Sequence, residues 1–108
     1  MWAPREVNLG EISPNGQLIR QERVILIRPL TTGLVSWKVT GSGVQRIVLA
    51  DSTNLGRRIA ETFVLDLPLL PLSKVDATVS FELSTGEQVQ VPVRGLVVSD
   101  ARGSQPVL

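Results

Sequence analysis

The side chains that most enzymes use for acid–base and nucleophilic chemistry are missing from this chain. Its 108 residues include no histidine, no cysteine and no tyrosine. A serine triad needs a histidine base, and a serine–lysine pair has only Lys38 and Lys74 to draw on. We therefore predict no catalytic residues and a protein that is not an enzyme.

The ten carboxylates are scattered along the chain. A glycosidase needs two carboxylates that face each other across a cleft. Asp76 and Glu82 instead lie on one face of one predicted strand, about 20 Å apart at roughly 3.3 Å per residue. Asp51 lies in no dense Asp/Asn/Gly loop of the kind that binds calcium, and residues 41–43 are not followed by the Lys-Ser/Thr of a phosphate-binding loop. The sequence therefore predicts no metal and no cofactor.

Two adjacent arginines are the first candidates for contact with a partner. Arg57 and Arg58 end the polar stretch 51–58, which is predicted to be a loop. A guanidinium fork in a loop can bind an anion, and the alternative is an ordinary solvated loop end. The net charge of +1 creates no long-range field toward nucleic acid or an anionic membrane, so we expect no nucleic-acid partner.

Apolar residues outside the predicted strands supply the other candidate contacts. Trp2 precedes the first strand, where its ring is either exposed or covers a sheet edge. Leu69 and Leu70 belong to the most apolar loop, residues 67–72, which either packs beneath the fold or presents an apolar patch to a partner. The chain has no run of about 20 apolar residues of the length that spans a bilayer, so no membrane insertion is expected.

A β-hairpin is predicted over residues 75–94. On both arms apolar residues alternate with polar ones, which is the pattern of strands with one buried and one solvated face. Gly86 lies between the arms and supplies the positive φ that a short hairpin loop needs. Phe81 falls on the inward side, and Trp37, which alternates with valines in an earlier strand, is also predicted to be a core residue.

Five further strands are predicted before the hairpin, near residues 7–12, 18–28, 35–40, 44–50 and 59–67. Residues 24–27 form a continuous apolar run, which indicates burial on both faces or a bulge. Glu61 interrupts the inward set of its strand and is expected near a strand end. Seven or so short strands separated by turns predict an all-β sandwich. We expect one domain, residues 1–98, followed by a flexible tail, residues 99–108.

The opening stretch VNLGEISPNGQLIRQERVILIRPL resembles the start of the ASH-type (Hydin-like) immunoglobulin-like domains and of related bacterial families of unknown function. Those domains begin with an apolar-x-Leu/Phe-Gly strand, matched here by Val7, Leu9 and Gly10, and continue through a turn to an Arg-led apolar strand, matched by residues 23–28. The closing TVSFELSTGEQVQVPVRGLV resembles their terminal hairpin. Pro29 departs from the pattern, because the family usually has Asn there.

The resemblance implies an immunoglobulin-like antiparallel β-sandwich of about seven strands. It also implies a non-catalytic module, a protein-binding or spacer domain of a larger bacterial protein, with an extracytoplasmic location in the periplasm or cell envelope. We expect the isolated domain to be a monomer. Its partner would be a protein, contacted through a sheet edge or the loops. The alternative function is a carbohydrate- or polymer-binding sandwich, for which Trp2 is the free aromatic platform.

Overall fold

The computed structural model describes residues 1–99, which form seven β-strands and no helix. The strands are β1 (Val7–Ile12), β2 (Ile19–Pro29), β3 (Leu34–Ser42), β4 (Arg46–Asn54), β5 (Arg58–Pro68), β6 (Lys74–Leu83) and β7 (Gln88–Val97). Within this range there is accordingly no helix of the length and hydropathy needed to cross a membrane. Apart from Ser99, the predicted tail lies outside the described residues.

The strands form two sheets, one of four strands in the order β1-β7-β6-β3 and one of three in the order β2-β5-β4. Neighbours are antiparallel except β1 and β7, which run parallel. Trp2 makes one antiparallel bridge to Ile27 on β2, so the N-terminal segment touches one sheet before it joins the other as β1. This arrangement is that of an immunoglobulin-like sandwich, and the predicted fold class is confirmed.

The core lies between the inner faces of the two sheets and consists mainly of valine and leucine. Phe63 of β5 connects the layers, because its ring centroid lies 4.8 Å from that of Phe81 and 5.3 Å from that of Trp37. The inward position of Phe81 in the β6–β7 hairpin is as predicted. Trp37 contacts the core only in part, since β3 is an edge strand and 36% of the residue is exposed.

The polar stretch 51–58, predicted to be a loop, is mostly strand, so that prediction was wrong for residues 51–54 and for Arg58, which begins β5. Residues 51–54 continue β4 and pair with β5, which leaves only residues 55–57 as the turn. The pairing register shifts between Leu49 and Asp51, and this irregularity breaks the alternation that would mark a strand. The side chains of this edge segment are all exposed, so hydropathy gives no sign of the strand.

Glu61 is buried and faces the interior from within β5. Its Oε1 atom lies 2.6 Å from Nε of Arg28 on the neighbouring strand. Arg28 also donates from Nη1 to the carbonyl oxygen of Thr32 in the β2–β3 loop. An inward carboxylate in this sheet is thus neutralised by an inward guanidinium, and the same guanidinium fixes the adjacent loop.

Candidate functional site

The outer faces of the two sheets differ in chemistry. Outward positions of the four-stranded sheet are polar over most of its surface, among them Ser36, Lys38, Thr78, Ser80, Glu82, Gln88 and Gln90. Such a face is an ordinary solvated surface. The three-stranded sheet, in contrast, carries aliphatic side chains at the centre of its outer face.

The backbone register determines which side chains share the outer face of the three-stranded sheet. β2 and β5 pair without interruption from Ile19↔Pro68 to Pro29↔Arg58. The buried residues of these strands face the core, so the alternate residues face outward. We call the resulting cluster the outer apolar face; its members are Ile25, Ile27, Val48, Ala60 and Val64.

The amino-acid pattern of all three strands contains a signal for this apolar face. Residues 24–27, 47–49 and 63–65 are uninterrupted apolar runs, whereas the β6–β7 hairpin alternates. An uninterrupted run in a strand indicates burial on both faces. In the folded chain the inward-facing Val24, Leu26, Phe63 and Leu65 are buried, while 41% of the outward-facing Ile25 remains exposed. Only the run 24–27 was identified from the sequence. The runs 47–49 and 63–65, taken together with it, would have indicated a second apolar face on this sheet.

Trp2 and Arg58, two of the predicted contact residues, meet at one end of the outer apolar face. The N–H of Trp2 donates to the carbonyl oxygen of Ile27 at 2.7 Å, and the N–H of Ile27 donates to that of Trp2 at 2.8 Å. Paired residues point to the same side of a sheet, so the Trp2 side chain lies on the outer side, and the residue is 54% exposed. Trp2, Arg58, Ile27 and Met1 line a surface cavity of about 460 Å³.

Two further depressions lie along the same three-stranded sheet. The central one, about 490 Å³, is lined by Arg23, Ile25, Ala50, Asp51, Thr62 and Val64. The far one, about 520 Å³, is lined by the outward-facing Ile19, Gln21 and Asp66 together with Gln17 and with Arg20, which belongs to the inner side of β2. From Ile19 to Ile27 the three follow β2 for about 26 Å at roughly 3.3 Å per residue. They form an extended shallow surface rather than a closed pocket.

Charged side chains border the outer apolar face. Arg23, Arg46 and Arg58 occupy outward positions, as do Asp51 and Asp66. Asp66 already accepts a hydrogen bond from Nε2 of Gln21 at 3.1 Å. The border is therefore more basic than acidic. Across residues 1–99, acidic side chains form no cluster of three or more that could hold a metal ion.

The other predicted contact residues are separated by the fold. Arg57 is exposed in the turn after β4, and its carbonyl oxygen accepts from the N–H of Leu30 at 2.9 Å. Leu69 is only 5% exposed and packs in the core, so it leaves the set of surface candidates. Leu70 is 65% exposed but lies beyond the opposite end of β5 from Arg58. Leu69 is buried and Leu70 exposed because consecutive residues of an extended segment point in opposite directions.

Comparisons of the chain with protein-family models, with curated proteins and with solved structures found no match.

Proposed function

We propose that this chain is a non-catalytic immunoglobulin-like module that binds another protein through its outer apolar face. The supporting observation is that this sheet is apolar on both sides, with one side in the core and Ile25 exposed on the other. An apolar surface bordered by polar residues is typical of protein interaction sites. The four-stranded sheet, which is polar outside, serves as the solvated back of the module.

The partner chemistry follows from the border of the face. The border carries three arginines and two aspartates, and one of the aspartates, Asp66, accepts a hydrogen bond from Gln21. Arginine forms paired hydrogen bonds with carboxylates, so the partner presents an apolar centre flanked by acidic side chains. Trp2 lies at one end of the face with its ring half-exposed, and tryptophan is a frequent anchor in protein interfaces.

A site-specific cross-linking experiment tests this proposal. A photoreactive amino acid is placed at Ile25, and the control carries it at Gln90, which is exposed on the outer face of the other sheet. In cells that express the full protein, irradiation should give discrete cross-linked species from position 25 and none from position 90. Equal products from both positions, or none from position 25, would reject the outer apolar face as the binding surface.

The resemblance to ASH-type domains supports a further part of the proposal, that the module belongs to a larger bacterial protein. An antibody raised against the domain and used on whole-cell extracts should detect a band far above the chain mass of 11.7 kDa. A single band at that mass would mean that the chain acts alone.

A second candidate function, glycan binding, is favoured by Trp2. Trp2 is a half-exposed residue that lines a surface cavity together with Arg58, and exposed aromatic rings offer an apolar face together with a polar N–H. Affinity electrophoresis against a panel of polysaccharides would then show retardation that is lost in Trp2→Ala. The control Leu70→Ala, at another exposed apolar residue beyond the other end of β5, should keep the retardation. Retardation that survives Trp2→Ala, or none with the unmodified chain, removes this candidate.

A further inference from the structure

The four edge strands of the sandwich are not equally protected. Edges are β1 and β3 in one sheet and β2 and β4 in the other. The pairing register shifts in three of them, at Asn8/Gly10, Leu34/Ser36 and Leu49/Asp51. Such irregularities disturb the row of backbone groups that another chain would pair with. Among the described strands, β2 is the edge without a shift, over its whole length from Ile19 to Pro29.

Among residues 1–99, the backbone of another segment pairs with the edge of β2 at a single residue. Ile27 exchanges both backbone hydrogen bonds with Trp2, so it directs its N–H and C=O away from the sheet. In an antiparallel ladder this direction repeats every second residue, so Ile25, Arg23, Gln21 and Ile19 also direct theirs outward. After Trp2 the chain leaves for the other sheet and pairs with β7. Within residues 1–99 no other backbone segment pairs with the edge from Ile19 to Ile25.

We infer that this edge pairs with the same edge of a second copy of the chain, antiparallel, about a twofold axis at Gln21, so that the isolated chain associates instead of staying monomeric as expected from the sequence. Arg20 and Glu22 are half-buried on the inner side of β2 and form a salt bridge of 2.6 Å within the chain. About this axis, Arg20 faces Glu22 of the second copy and Glu22 faces its Arg20. The four charges alternate in sign around a square, and opposite charges at paired positions stabilise a sheet.

The charges also select the register. Residues opposite each other in a sheet point to the same side, and side chains alternate along a strand. The twofold axis therefore has to pass through a residue, because an axis between two residues would place inward side chains opposite outward ones. An axis at Arg20, Glu22 or Arg23 places that residue opposite its own copy, which brings like charges together and is destabilising. Gln21 is uncharged and lies at the centre of this charged stretch. The stretch 20–22 is therefore complementary to itself in one register.

The pairing would join the two three-stranded sheets into one continuous sheet. Ile19, which is half-exposed, would then lie opposite Arg23 of the second copy, whose aliphatic stem can cover it. The outer apolar faces of the two copies would lie side by side. The inference goes beyond the proposed function, because Arg20 and Glu22 are on the inner side of β2 and belong to neither the outer apolar face nor its border.

Sedimentation equilibrium over a range of concentrations tests the pairing. The unmodified chain should approach twice its monomer mass of 11.7 kDa as concentration rises. Glu22→Arg turns the alternating square into four like charges, and we expect about tenfold or more weakening of self-association. The swap Arg20→Glu with Glu22→Arg restores both the alternation and the salt bridge within the chain, and should restore self-association. A monomer at every concentration, or a Glu22→Arg variant that associates like the unmodified chain, overturns the inference.

A cross-link at the axis gives an independent readout. The chain contains no cysteine, so Gln21→Cys introduces a single thiol that lies about 5.5 Å from its copy, as measured between Cα atoms of a hydrogen-bonded antiparallel pair. A short thiol-specific cross-linker should give a covalent dimer with Gln21→Cys and little with Gln90→Cys on the exposed outer face of the other sheet. Equal yields from both variants would show random collision and reject the pairing. Cross-linking at Gln21 needs no external partner, so its result is separate from that obtained at Ile25.

Discussion

Replacing Glu61 with alanine should lower the free energy of unfolding by about 3–5 kcal/mol, the usual cost of removing one partner of a buried ion pair. The side chains of Arg28 and Glu61 are 12% and 5% exposed, and the Nε–Oε1 distance is 2.6 Å. Without the carboxylate, Arg28 keeps the carbonyl oxygen of Thr32 as an acceptor but no opposite charge. The loss arises from a guanidinium that remains desolvated and unneutralised.

Urea denaturation followed by far-ultraviolet circular dichroism measures the effect. With a urea dependence of about 1–3 kcal/mol per molar, the midpoint should fall by at least about 1 M, because the loss is about 3 kcal/mol or more. Glu82→Ala is the matched control. That carboxylate is exposed on the outer face of the other sheet and accepts from the Ser36 hydroxyl at 3.2 Å, so its removal should change stability by no more than about 0.5 kcal/mol.

A double substitution distinguishes charge burial from packing. Arg28→Met combined with Glu61→Leu removes both charges and keeps apolar volume, and such replacements are often neutral or stabilising. We expect the double variant to recover most of the stability lost in Glu61→Ala. The reasoning is refuted if Glu61→Ala unfolds at the same urea concentration as the Glu82→Ala control, or if the double variant is as unstable as the single one.

Three further predictions concern the core, a strand and the outer apolar face. Phe81→Ala should cost about 3–5 kcal/mol in chemical denaturation, because the ring is fully buried; an unchanged midpoint would mean that the inner face of the hairpin is misassigned. Gly41→Ala should destabilise the chain more than Gly86→Ala. Both glycines have positive φ, but a Cβ at Gly41 would meet backbone atoms of β6, whereas one at Gly86 would have no neighbour within 4 Å. Thermal melts that rank the two variants in the reverse order would contradict this reasoning. Ile25→Lys should leave the melting temperature nearly unchanged, because the side chain is exposed. The same substitution should abolish cross-linking to the partner from a photoreactive group placed at Val64, which lines the same depression as Ile25.

Much of the molecule is determined by short-range pattern. The β6–β7 hairpin follows from strict alternation on both arms and from Gly86, whose φ is 87°, so its residue pairing could be read without knowledge of the rest of the chain. The absence of histidine and cysteine is likewise a property of composition alone. The number of strands and the sandwich class follow from the same alternation repeated between turns.

Features that depend on partners distant in the chain could not be read in this way. Glu61 looked like an interruption of its strand until the fold placed Arg28 beside it, 33 residues away in sequence. Residues 51–54 form a strand because their backbone pairs with that of β5. In each case the deciding contact joins two elements, and a local pattern carries no information about which element its neighbour will be.

The candidate surface shows the same division. The apolar runs in β2, β4 and β5 already indicate, as sequence, that these strands can be buried on both sides. Only the tertiary structure decided that the runs lie side by side in one sheet, that the core covers one side, and that the other side stays open with Trp2 and Arg58 at its end. Hydropathy fixes how much apolar surface a strand has, whereas the packing of the two layers fixes how much of it the chain can cover by itself.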